Sequence, residues 1–440
     1  MLRQIILLLV SFVFIASGCQ VIRPPARTVS TPAPSTTSTV VGRAVTPTAA
    51  AMPVVSARRP ITLTVWLPDA LVPSTNLTAT SMLPQQINAF VTTQPDVRVQ
   101  VLTKRARGPG GIMDLIQAAA LAAPSVVPDV TAVSLTDVPV AAQAGLLRPL
   151  TGTLLDDVLS DLFPFAAESC RWDDRWLAIP YAADVEHVAY SSVRVSSPPV
   201  TWPQVISGSV PYLFPASASS VLNSDALLVL YTAAGGRWID ANGQPALDVD
   251  ALTLMLLQLR EAQQAGIVPA TVLSINSPDD TWLAFLNAPS QMVNTRASSF
   301  LAQRGALTAA TAMAMPGYDG PSRLVVRGWA LVITSRDATH VPAAAALIKW
   351  LLSPENEGAW TRAANLVPAR RSAFDHWYPP DRNTAFFRRE MERVVLPPSS
   401  QITQIIVPAI QKAVADVLRG LVQPGDAAMT AAAGVARTAK

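Results

Sequence analysis

Residues able to hold a small polar molecule gather at the ends of alternating segments. Ile61-Thr-Leu-Thr-Val-Trp-Leu67 alternates apolar and polar positions; Trp66 falls on its polar face, with Asp69 just past its end. Pro128-Asp-Val-Thr-Ala-Val133 reads as another strand, followed by Ser134, Thr136 and Asp137. In open α/β sheets, ligands lie outside the carboxyl ends of the strands. A flat aromatic face beside converging donors and acceptors suits a hydroxylated molecule, because unpaired buried polar groups favour a guest that satisfies them. Thr136 also fits a helix N-cap, and Asp137 in the first turn gains from the helix dipole with no ligand at all.

The patterns of covalent, phosphate and metal chemistry are missing. The sequence has no H-E-x-x-H, C-x-x-C, G-x-x-x-x-G-K-[ST] or G-x-S-x-G. Gly108-Pro-Gly110-Gly111 follows a strand and precedes a helix, but Met113 stands where a dinucleotide loop needs its third glycine. His187, His340 and His376 are far apart and make no ligand spacing. Asp173–Asp174 and Asp279–Asp280 flank turns, and adjacent carboxylates on one chain rarely face each other across a substrate. No catalytic residue, cofactor or metal is expected. Cys19 and Cys170 cannot build a disulfide framework, and Cys170 is expected to be a buried apolar thiol.

The elements that position these residues read as α/β. The chain has 440 residues, 50% hydrophobic and 14% charged, which argues for a sizeable core and against a disordered chain. A net charge of +3 lacks the clustered basic excess of a nucleic-acid binder. A helix around 82–93, a strand with Val97, Val99 and Val101, a mobile loop over 104–111 and a helix from Ile112 to Ala122 come in turn. Strand–helix alternation implies a mainly parallel sheet covered on both faces. Later, LVVRGWALVIT (324–334) reads as a strand with a Gly-Trp interruption. A helix follows from Ala343 to Leu352, and Ser353-Pro354-Glu355 starts the next. An apolar stripe from Ile402 to Leu421 is expected to dock on the body, and the Ala/Gly/Thr-rich tail after Gln423 to fray.

At the other end, Arg3 precedes an apolar run from Ile5 to Ala16, too short for the ~20 residues that span a bilayer. This reads as a secretory signal. Ala16-Ser17-Gly18-Cys19 resembles a bacterial lipoprotein lipobox, with Ala16 where leucine is usual. The resemblance implies a signal peptide over 1–18, a lipid on Cys19 and a chain held at the cell membrane, facing outside the cytoplasm. Residues 19–60 are a Pro/Thr/Ser-rich tether whose charges are all basic, spanning on the order of 35 Å.

Several stretches carry a further resemblance. They are TLTVW, FVTTQPDVRVQV, PDVTAVSLTDVPVAAQAGLLRPL, RWLAIPYAADVEHVAYSS, GWALVITSRDATHVPAAAALIKWLLSPENEGAW and LVPARRSAF, in that order over about 61–376. Together the chain resembles the extracellular solute-binding proteins of ABC importers, in the sugar-binding group that includes the maltose-binding protein. The resemblance implies a two-lobed periplasmic-binding-protein fold, each lobe a mainly parallel sheet flanked by helices, with a ligand cleft and hinge between. Crossings are expected near Tyr181–Ala183, Val325–Arg327 and Pro368. That gives lobe 1 as 61–182 plus 327–368 and lobe 2 as 183–326 plus 369–440.

The resemblance also implies site residues. Tyr181 and Asp184 lie at a crossing where the family contacts ligand. Trp329, after Gly328 on the returning strand, is the central aromatic candidate, with Arg327 beside it. From lobe 2 come Tyr212, Trp238 (after a family-like Gly235-Gly236-Arg237 loop) and Arg296. Arg296 departs from the small or aromatic residue the family writes there, and a cleft arginine suits a carboxylate or phosphate. The implied function is capture of a small hydroxylated ligand, a sugar or oligosaccharide, by a monomer that delivers it to an ABC permease. The alternatives are a surface-anchored carbohydrate-active enzyme, or a degenerate binding fold acting as a sensor or adhesive module.

Overall fold

The computed structural model describes residues 60–150, 158–219, 223–303, 305–378 and 380–439. The expected signal peptide, Cys19 and the tether up to residue 59 lie outside them. β1 (Ile61–Pro68) keeps its alternation, with Leu63, Val65 and Leu67 at most 2% exposed. It pairs in parallel with β2 (Val97–Lys104) and β3 (Val130–Ser134). The helix joining β1 to β2 runs from Leu77 to Thr93, capped by the Asn76 side chain, which accepts from the Ala79 N–H. It begins before the expected 82, at the Asn76 cap, and continues through Pro84. The helix between β2 and β3 spans Ile112–Ala122.

A two-residue hairpin follows, β4 (Arg171–Trp172) against β5 (Arg175–Trp176), turned by Asp173 and Asp174, both with positive φ. β6 (Ile179–Ser191) then joins the two halves of the molecule. Beyond it lie β7 (Tyr212–Leu213), β8 (Met292–Arg296), β9 (Ala310–Met313), β10 (Val326–Ile333) and β11 (Val367–Pro368). The first half of β6 pairs with β10 and β11, and its second half with β8 and β9. The strand path is β2-β1-β3-β10-β6-β8-β7. The expected parallel pairing describes β2-β1-β3 and β7-β8. The pairs made by the crossing strands are antiparallel, because those strands return from one half to the other. Ala182 and Ala183 lie beside Gly328–Trp329 and Val367–Pro368.

The Gly-Trp interruption has a steric cause. A Cβ on Gly328 would come within 2.2 Å of the Ala182 carbonyl oxygen. The ladder then shifts register between Trp329 and Ala330, a bulge of the kind that re-aims a side chain.

Core residues fall into two clusters. One holds Leu63, Leu67, Phe90, Ile333, Leu347 and Trp360; the other includes Tyr231, Leu256, Phe285, Phe300 and Ile410. The apolar stripe forms the helix Ser400–Leu418, with Ile406, Ile410 and Val414 buried. The tail does not fray. Pro424–Thr438 is a helix packed on Ser400–Leu418 and on Val249–Gln264. Ala427, Ala428, Ala431 and Val435 are buried, and small side chains let the helices approach closely, an advantage that composition alone does not reveal. Among the described residues no helix is long and apolar enough to cross a membrane.

Candidate ligand cleft

Two adjoining chambers open between the halves. One, of about 430 Å³, is lined by Trp329, Asp184, Glu186, Asp225, Arg296 and Ser298, among others. The second, of about 590 Å³, is lined by Thr136, Asp137 and the start of the Ser400–Leu418 helix. Ala106, Arg107 and Arg327 border both. These volumes fall within the ~300–1,000 Å³ usual for small-molecule sites.

Trp329, Asp184, Arg296 and Asp137 are thus brought to the cleft. Trp329 is 8% exposed, and the Arg107 guanidinium lies 5.8 Å from its ring centroid. Asp184 accepts from the Ser298 N–H at 3.1 Å and the Ser298 hydroxyl at 2.7 Å. Burial raises its pKa, while Arg296 and Ser298 pull it down. Arg296 donates to the Asn223 carbonyl at 2.7 Å, and its Nε lies 3.8 Å from Glu186 Oε1. Burial likewise raises Asp137, against the attraction of Arg107 and Arg327.

Two further candidates act on the cleft through the residues they hold. Ser134 is buried at the end of β3, with its Oγ 3.4 Å from Arg107 Nη2 and 2.9 Å from Thr136 Oγ1. Asp69 accepts from the Ala106 N–H at 3.0 Å, so it holds the loop that carries Arg107.

Four expected contacts lie elsewhere. Side chains on β6 alternate, and the face that turns Asp184 and Glu186 to the cleft turns Tyr181 away. Tyr181 is buried and stacks on Trp360, with centroids 4.8 Å apart. Trp66 is 7% exposed under Lys104, whose Nζ sits 4.9 Å from its ring, and it borders neither chamber. Tyr212 is fully buried and donates to Asn294 Oδ1 at 2.6 Å. Trp238 packs, partly buried, on the second core cluster, outside both chambers.

Other lining residues escaped the sequence reading. Asp225 takes Arg327 in a two-point pair, at 2.6 and 2.5 Å. Glu186 accepts from the Asp225 N–H at 2.9 Å and the Ser224 hydroxyl at 2.7 Å. Burial and the Asp225 charge push Glu186 up, against the pull of Arg296. Arg107 sits in the 104–111 stretch, whose loop has positive φ at Gly108 and Gly110. A loop without periodicity offered no signal for it.

Elsewhere, His187 sits among Phe300, Phe386 and Phe387, and burial pushes it down to about 3. Cys170 is buried, its thiol pushed up to about 12. Among the described residues no three His, Cys, Asp or Glu side chains gather as a metal site.

The chain is similar to several known proteins. A maltotriose-binding protein of Pyrococcus abyssi is 30% identical over 112 residues, 24% of this chain; the match spans 25% of that protein's length. A crystal structure of the cyclic alpha-maltosyl-1,6-maltose binding protein from Arthrobacter globiformis superposes with a TM-score of 0.70 at 18% identity, over 87% of this chain and 99% of the other. The sugar-binding protein MalE of Xanthomonas citri superposes at 0.65 with 19% identity, over 86% and 98%. Likeness at these identities shows the two-lobed α/β fold. The family model described as bacterial extracellular solute-binding protein matches residues 85–385, well over half of the sequence, and the chain belongs to that family.

Proposed function

We propose that this chain captures a sugar or oligosaccharide in the cleft by closing its lobes, and delivers it to an ABC-type permease. The observation that carries the reading is the cleft itself. A tryptophan face from one half meets hydrogen-bonding side chains from the other, where three crossing segments run side by side. The known sugar binders that share the fold support it. In this reading, lobe 1 comprises 61–182 plus 327–368 and lobe 2 comprises 183–326 plus 369–440. They pivot about Ala182–Ala183, Gly328–Trp329 and Val367–Pro368. Closure is driven only by a ligand that touches both lobes, since equal affinity for open and closed states shifts nothing.

The chain acts as a monomeric binder rather than an enzyme. Asp184, Glu186 and Asp225 accept from protein donors and tie the cleft wall together. A lipid on Cys19 and the basic tether keep the folded part at the outer face of the membrane, within reach of a permease.

A thermal-shift screen with a carbohydrate and polyol panel tests the binding. A true ligand at a hundred times its Kd adds about 2.7 kcal/mol of apparent stability. No shift with any sugar at millimolar concentration defeats the reading. Mass spectrometry of the mature N-terminus tests the anchor, which requires a diacylglyceryl-modified Cys19.

A further inference from the structure

Three guanidinium groups border the cleft, and the protein itself occupies two. Arg327 is paired with Asp225, and Arg296 is held by the Asn223 carbonyl and Glu186. Arg107 differs. Among the described residues no carboxylate lies within ion-pairing distance of it, and its hydrogen bond there is the long one to Ser134 Oγ. Its guanidinium rests over the Trp329 ring instead.

The 590 Å³ chamber below it favours negative charge from a second direction. The wall made by Pro398, Ser400, Thr403 and Gln404 is the start of the 19-residue helix Ser400–Leu418, whose first turn carries no acidic residue. A helix N-terminus presents positive potential and spare N–H groups. Burial and the charges of Arg327 and Arg296 weigh on the Arg107 cation, while Asp137 and Asp225 offset them in part, and a bound anion adds to that offset.

The nearby carboxylates limit how much charge can enter. Of the two acids on the chamber wall, Asp114 accepts from the Gly110 N–H at 3.0 Å, while Asp137 faces Arg107 and Arg327 beyond pairing distance. With Asp184, Glu186 and Asp225 next door, a doubly charged phosphate would meet more repulsion than one spare cation offsets. A single carboxylate fits, and the Thr136, Ser400, Thr403 and Gln404 side chains suit its hydroxylated surroundings.

We propose that the ligand is an acidic saccharide whose carboxylate binds Arg107 between Trp329 and the start of the Ser400–Leu418 helix. The proposal rests on the saccharide reading above and narrows it. When the sugar ring takes the tryptophan face, the guanidinium leaves that face and pairs with the carboxylate at two points.

Calorimetric titration of the full chain with matched pairs tests this: digalacturonate against its methyl ester, and cellobiouronic acid against cellobiose, with maltotriose as a neutral reference. In at least one pair the acidic member binds tenfold or more tightly than its neutral partner, and the preference shrinks between 50 and 500 mM salt. Arg107→Gln lowers the acid-to-neutral ratio at least tenfold, and Arg107→Lys, which keeps the charge but loses the two-point geometry, lowers it less. Circular dichroism melts of both variants verify folding. Neutral members binding as tightly as acidic ones, or an acidic preference that survives Arg107→Gln, overturns the proposal and leaves the saccharide reading standing. Failure of every sugar, neutral or acidic, defeats the saccharide reading itself.

Discussion

Across the cleft, Trp329 and the loosely held Arg107 face a wall in which Asp184, Glu186, Asp225 and Arg296 are already joined to protein partners. The two sides therefore do different work. Glu186 receives the Asp225 N–H and the Ser224 hydroxyl, and Asp225 holds Arg327, so charge on that wall ties residues 224 and 225 to β6 and β10. On the other side, an aromatic face and one underused cation remain for a guest. Charge in a binding cleft is thus not all for binding. What separates the two kinds is whether the protein already fills the hydrogen-bonding positions.

The sharpest way to break this contrast is Asp225→Ala. Asp225 is 2% exposed, and its loss strands the Arg327 guanidinium, whose side chain is 29% exposed. Removing one partner of a buried pair costs about 3–5 kcal/mol, and partial solvent access puts this case near 3. Urea denaturation measures it. A loss below 1 kcal/mol would show the pair to be no more than a surface contact.

A buried carboxyl group outside both walls gives the next test. Glu357 accepts from the Ala369 and Arg370 N–H groups beside β11, and burial pushes it up to about 8, although those N–H groups and the Arg370 charge pull the other way. The unfolded chain releases that proton near 4.5, while the folded protein keeps it until about 8. Stability therefore falls as pH rises between those values, because the unfolded state binds fewer protons there. Glu357→Gln keeps an acceptor without the titration and should flatten the fall across that window. Melts at several pH values decide it, and identical slopes in both proteins would rule it out.

The aromatic side is tested by Trp329→Leu, which keeps an apolar residue on β10 but removes the flat face. The best sugar of the thermal-shift panel should bind about 30-fold more weakly, roughly 2 kcal/mol, as expected for a central aromatic contact. An unchanged Kd would mean that the indole merely packs.

Sequence alone reached some of this and missed the rest for definable reasons. β1 was legible because a half-buried strand writes its alternation into the chain, while β3 and β10 showed as short apolar runs, buried almost throughout, the second interrupted at Gly328-Trp329. Trp329 and Asp184 came from the family resemblance at the strand crossings, and both border the cleft. The resemblance also pointed to Tyr181 and Tyr212, but it does not tell which face of a strand meets the core, and a shift of one residue reverses the answer. Asp225 and Glu186 are 39 residues apart, and only the fold reveals their contact. The Pro424–Thr438 helix looked like a tail because its buried alanines are unremarkable until two other helices lie against them.

The smallest effect belongs to Asp69, which lies outside both chambers yet fixes the loop beneath Arg107. Its carboxylate accepts from the Ala106 N–H at 3.0 Å at the surface, where a single hydrogen bond contributes about 0.5–1.5 kcal/mol. Asp69→Ala should lower stability by about 0.5 kcal/mol, within reach of careful urea titration. Its effect on binding separates two accounts of the aromatic side. If the loop must hold Arg107 in place, ligand affinity falls by about threefold, more than the stability change alone would bring. If Arg107 finds its guest from a freely moving loop, affinity stays level while stability drops, and the cation side of the cleft is then organised by the ligand and not by the protein.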